Sequence, residues 1–225
     1  MDAQKMIQQF AAGLIPPLAD ERRRVEDLPD WLEPDYKLFL SLCEGGYTDE
    51  CHFHFFGLSG PPEHNVLEWN RPDLWKNDFG ITEPWFFFAE DVFGNQYYFT
   101  SGRRRVVKTF WIEYGESDLA AANFADFVQD VVLDKSTRIL QRSLAAKFLE
   151  PHQGQFEAGR HLGYRIPLKL GGCDTDVGNL ELVEAVSHLK FCGQVISQVK
   201  GLPVGTKIVD IEMDRDKGLI KLITG

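Results

Sequence analysis

Between Trp69 and Phe99 the chain packs Trp69, Trp75, Trp85, the run Phe86 to Phe88, Phe93, Tyr97, Tyr98 and Phe99 into one short stretch. Side chains of this size favour a pleated, half-buried backbone and need cover on the faces they project from. Cys51 to Leu58, Trp85 to Glu90 and Gln96 to Thr100 therefore read as strands. Ser101 and Gly102 make a turn, and Arg104 to Phe110 return antiparallel, so the order predicts a meander. Core packing is the reading for Phe87 and for at least two of Trp69, Trp75 and Trp85. Trp75, in a segment rich in Asp and Lys, is expected at the surface.

Helical signals flank this block. Met6, Phe10 and Leu14 recur every fourth residue within Asp2 to Leu14, and Pro16 and Pro17 stop the run. Pro34 starts a second helix with Tyr36, Phe39, Leu40 and Cys43 on one face, closed by Gly45 and Gly46. Ser117 is read as the cap of a helix reaching Val132, with Phe124, Phe127, Val128 and Val131 inward. Thr137 to Leu149 and Ala185 to Val199 are two further helices. Leu162 to Leu170 reads as a strand, and Lys207 to Met213 with Leu219 to Ile223 as a hairpin. Helices mixed with antiparallel strands predict an α+β fold in which helices flank an antiparallel sheet. The chain divides best near Asp134, into 1–134 and a smaller α+β part, 135–225, and the two are expected to pack together.

The 225 residues carry a formal net charge of −10. Such a surface repels a phosphate backbone, so nucleic acid is not an expected partner, whereas a basic protein is. Cys43, Cys51, Cys173 and Cys192 form no C-x-x-C pair and read as reduced thiols of a cytoplasmic protein. Met1 to Phe10 has no apolar signal region, and no run approaches the length of a membrane helix.

Four groups of residues are candidates for chemistry. His52 and His54 share one strand face, with Cys51 on the opposite side, yet no further ligand pair follows, so they read as partly exposed strand histidines. Glu90 and Asp91 precede Phe93-Gly94-Asn95 and are expected to shape and solvate that turn, though paired carboxylates also suit acid/base work. Gly201 to Lys207 has the wrong glycine spacing for a phosphate loop, and Pro203 removes a donor. The basic runs Arg22 to Arg24 and Arg103 to Arg105 read as solvated. G-x-S-x-G and H-E-x-x-H are absent.

Leu38 to Tyr47 (L-F-L-S-L-C-E-G-G-Y), Phe55-Phe-Gly-Leu58, Trp85 to Glu90 and Asp91 to Tyr98 (D-V-F-G-N-Q-Y-Y) together resemble the SUKH superfamily pattern. In that pattern a helix ending in Gly-Gly precedes a Phe-Gly-Leu strand, and a later strand leads into an acidic-x-Phe-Gly-(Asp/Asn)-x-Tyr turn. Leu162 to Gly172, Asn179 to Val183 and His188-Leu resemble the C-terminal part of immunity proteins paired with type VI secretion DNase effectors. These resemblances imply a bacterial, non-enzymatic protein without a cofactor or metal that binds a toxin and blocks it; some relatives act instead as regulatory scaffolds.

The leading expectation is thus a binder that occludes a basic, nuclease-type toxin. A regulatory scaffold is the second reading, and a metal or small-molecule enzyme using His52, His54, Glu90 and Asp91 the third. The expected protein-facing residues, chosen from composition, are Asp73, Trp75, Asp78, Glu90, Asp91 and Arg104.

Overall fold

The aromatic block forms a meander of six strands, β1 (Gly46–Tyr47), β2 (Phe53–Phe55), β3 (Phe86–Asp91), β4 (Gln96–Phe99), β5 (Val107–Trp111) and β6 (Glu116–Ala121). They lie in sequence order, each antiparallel to the next. This computed structural model describes residues 2–16, 25–48, 53–102, 105–134, 142–152, 159–214 and 217–225.

Three consecutive phenylalanines are tolerated in β3 because both faces of the sheet are covered. Phe86 and Phe88 meet the rings of Tyr36, and Phe88 also meets Phe124 and Phe127. These rings come from helix α2 (Pro34–Leu42) and from the segment in which α5 (Phe124–Asp126) runs into a π-helical turn, Phe127–Leu133. Helix α1 (Ala3–Ala11) packs beside α2 on the same side, with Phe10 against Phe39 and Phe55. Phe87 points the other way, into Trp75, Trp85 and Tyr98. That second layer is built from α3 (Val66–Trp69), a π-helical turn at Pro72–Lys76 and α4 (Asn77–Phe79).

The pairing of β3 with β4 shifts between Phe87 and Ala89. A bulge of this kind resets the alternation of faces. Ala89 therefore sits opposite Tyr97, which packs on Phe53 and Phe127, while Glu90 joins Phe87 on the tryptophan side.

Beyond residue 134 the elements are α6 (Arg142–Leu149), β7 (Arg160–Tyr164), β8 (Leu180–Glu184), α7 (Ala185–Lys200), β9 (Ile208–Asp214) and β10 (Leu219–Thr224). Strands β7 and β8 form one antiparallel pair, β9 and β10 another. The main core takes in Ala185, Leu189 and Cys192 of α7 together with the aromatic side chains. A second core joins Val92 and Phe93 to Leu144, Phe148, Leu162, Tyr164 and Leu180. Both cores thus draw side chains from either side of residue 134, and the Leu162 amide donates to the Val92 carbonyl at 2.8 Å.

The α+β architecture is as expected, with three local differences. Glu116 to Ala121 is a strand rather than the start of a helix, because it completes the ladder with β5. Asn123 takes the capping role assigned to Ser117, accepting from the Asp126 amide at 2.8 Å. Leu162 to Leu170 is strand only as far as Tyr164, and Leu168–Leu170 is a 3-10 turn. Arg22 to Arg24, Cys51, His52, Arg103, Arg104 and the 137–141 portion of the expected helix lie outside the described residues.

Candidate functional site

The strand register builds the most unusual feature of the interior. His54 of β2 lies opposite Glu90 of β3, and Glu90 lies opposite Gln96 of β4, so three polar side chains form a row across three strands. All three are buried. Buried polar atoms need partners, and here they find one another. His54 Nδ1 is 3.1 Å from Glu90 Oε1, Gln96 Nε2 donates to Glu90 Oε2 at 2.8 Å, and Trp69 Nε1 donates to Gln96 Oε1 at 2.8 Å.

The row extends at both ends. His64 Nδ1 approaches His54 Nε2 at 2.9 Å, and the Tyr47 ring stacks on the His54 imidazole at 4.3 Å between centroids. On the other side His161 of β7 places Nε2 3.0 Å from Glu90 Oε2, and its Nδ1 is 3.3 Å from Nδ1 of His188 on α7. Gly94 has a positive φ of +81°, and a Cβ there would strike the His161 ring, so the turn after β3 admits the imidazole only because residue 94 is glycine.

Burial alone pushes the Glu90 carboxyl up, but the flanking His161 and His54 override it and hold Glu90 below the usual carboxylate range. Burial, reinforced by His54, lowers His64. Each ring nitrogen can donate or accept, and the distances fit one assignment of the ring protons around Glu90. His54 Nδ1 and His161 Nε2 carry protons toward Glu90, His64 Nδ1 donates to His54 Nε2, and His188 Nδ1 donates to His161 Nδ1. The network is a relay of donors converging on one carboxylate.

Asp91 behaves differently. Its Oδ1 accepts from the Phe93 and Asn95 amides at 2.9 and 3.0 Å, and its Oδ2 from Asn95 Nδ2 at 3.0 Å. Burial still dominates and pushes Asp91 up to about 7. A folded-state value above the ordinary 3.8 means that its stabilising effect is full below that ordinary value and is lost as pH rises through about 7. Asp91→Asn is therefore expected to gain on the native chain by roughly 4 kcal/mol between pH 4 and pH 7, on the scale of 1.36 kcal/mol per unit. Urea midpoints at a series of pH values measure it; loss of the Asn95 Nδ2 bond shifts all points equally, so parallel profiles would refute it.

The residues expected to face a partner are dispersed. Trp75 is wholly buried, its Nε1 donating to the Trp69 carbonyl at 3.1 Å, because Trp69, Phe79 and Phe87 enclose it. Glu90 and Asp91 are interior for the reasons given. His54 is likewise buried rather than partly exposed. Asp73 is exposed and ion-paired to Arg71 at 2.7 Å, and half-buried Asp78 accepts from Gln194 of α7 at 3.0 Å. Sequence reasoning missed His64, Gln96, His161 and His188; only the alternation of His54 and the Glu90 to Gln96 spacing around a turn signalled part of the row.

A six-stranded antiparallel meander with helices on both faces and a buried network of polar side chains defines an α+β domain whose distinctive side chains face inward. The SMI1 / KNR4 family (SUKH-1) matches residues 26–130, so that the resemblance to the SUKH superfamily holds for the segment carrying the meander. Domains of this family are typically protein-binding, immunity-type modules and generally non-catalytic. The crystal structure of Atu4351 from Agrobacterium tumefaciens is similar in fold, with a TM-score of 0.51 at 11% identity, covering 93% of this chain and 91% of that one. No curated protein matches the sequence. Among the described residues, no helix is long and apolar enough to cross a membrane.

Proposed function

We propose that this chain is a non-enzymatic binding protein that neutralises a cognate nuclease-type toxin by covering it. The match of residues 26–130 to the SUKH-1 family carries this reading. The acidic balance supports it, because a net charge of −10 speeds encounter with a basic partner. The burial of His54, Glu90 and His161 agrees with it, since side chains that satisfy one another inside the protein are not presented to a substrate.

Strand β6 is the surface we assign to the partner, with Asp73 as a further exposed acid. It lies at an edge of the sheet and exposes Glu116, Asp118 and Leu119, the last at 66%. An apolar side chain beside carboxylates on an open edge combines a desolvating contact with electrostatic steering. The test is binding to the toxin encoded beside this chain, followed by protection of that toxin's substrate. Glu116→Lys with Asp118→Lys is expected to slow association at least tenfold at low salt, with the difference shrinking as salt rises. Absence of a tight basic partner, or unchanged association of the double variant, sinks the proposal.

A further inference from the structure

Where the proton relay ends, it leaves one atom without a role. The Nε2 atom of His188 is buried and without a hydrogen-bond partner among the described residues, and with His188 donating through Nδ1 it carries a lone pair. What it faces is not a donor. Glu113 Oε1 lies 3.6 Å away, too far for a hydrogen bond, and is itself an acceptor. The same oxygen lies 3.4 Å from Cys192 Sγ, while Glu113 Oε2 is occupied by the Leu168 amide at 2.8 Å. A carboxylate oxygen that, among the described residues, accepts only from the Cys192 thiol, one imidazole nitrogen and that thiol sulfur thus meet in the interior, all within 4.8 Å of one another.

We propose that Glu113, His188 and Cys192 bind a single divalent transition-metal cation, for which zinc is the best match. Zinc takes sulfur, nitrogen and oxygen donors at about 2.0–2.3 Å, which sets tetrahedral edges of roughly 3.3–3.8 Å. The two edges at Glu113 Oε1, 3.4 and 3.6 Å, already fall there. The elements fit as well. His188 and Cys192 are four apart on α7 and so share a face, and Glu113 comes from the connection between β5 and β6. His188 is oriented from behind by His161, as a carboxylate or second group commonly orients a metal-bound imidazole. The cation takes the place of the Cys192 thiol proton, which leaves to solvent, and the one positive charge gained is offset by the Glu113 carboxylate. The ion would pin α7 to the meander at a point where the two halves of the chain meet.

This inference is independent of the toxin-binding reading. The full chain, stripped with a chelator, is titrated with Zn2+ and separately with Co2+. About one equivalent of zinc per chain, a raised unfolding temperature and a thiolate-to-cobalt charge-transfer band are expected. Cys192→Ser should abolish the band and weaken zinc at least tenfold, whereas Cys173→Ser, at the exposed cysteine, should leave both intact. X-ray absorption of the zinc-loaded native chain, which needs no variant, should show one sulfur with nitrogen and oxygen neighbours. No stoichiometric binding, a coordination shell without sulfur, or a band carried by Cys173 overturns the proposal.

Discussion

Glu90→Ala is expected to destabilise the protein by about 3–5 kcal/mol, the range for removing one partner of a buried, charge-assisted cluster. The magnitude follows from how many groups depend on one side chain. His54, His161 and Gln96 all turn toward the Glu90 carboxylate, and none has water to fall back on. Glu90→Gln is expected to be poorly tolerated too, because an amide offers one acceptor oxygen where three donors converge. Urea unfolding with an unchanged slope measures the loss. A cost below about 1 kcal/mol for the alanine variant would mean that the imidazoles re-pair without the carboxylate, and the description of Glu90 as the hub would be wrong.

Trp75→Ala is expected to cost about 3–5 kcal/mol, as for other large aromatic truncations in a packed core. The side chain is enclosed by Trp69, Phe79 and Phe87, and its Nε1 is committed to the Trp69 carbonyl. Asp73→Ala, two residues away, is expected to stay within about 0.5 kcal/mol, since an exposed ion pair with Arg71 contributes little. The contrast separates the two readings of this segment. A Trp75 variant as stable as the Asp73 variant would return the tryptophan to the surface. Thermal or urea unfolding of both variants decides.

The expectation for Trp75 fails for a physical reason. Its neighbours Asp73, Lys76 and Asp78 make the segment look solvated, but a π-helical turn at Pro72–Lys76 directs Trp75 inward while Asp73 stays outside. Even Lys76 is drawn in, its ammonium held by Asn70 Oδ1 at 3.0 Å and the Trp85 carbonyl at 3.3 Å, and burial lowers it to about 8. Local polarity reports composition, whereas burial depends on which face of a short helix meets the sheet. The misreading of Ser117 has a similar origin. A serine before an apolar run suits a cap, but pairing with β5 claimed Glu116–Ala121 first, and Asn123 capped what remained.

From its residue order alone this chain determines the aromatic meander, the helix entered at Pro34 and closed before Gly45, the long helix at Ala185 and the terminal hairpin. Each depends on spacing and turn chemistry acting over a few neighbours. Tertiary structure alone decided the polar row. Simple alternation along Phe86 to Glu90 would place Glu90 with Phe88 on the α2 face, and the bulge before Ala89 reverses that. His161 and His188 then reach the row from strands and helices far along the chain, through the packing of β7 on Val92 and of α7 on the main core. Periodicity carries information about neighbours in sequence, but a buried carboxylate acquires its partners from register and long-range packing, which no short window contains.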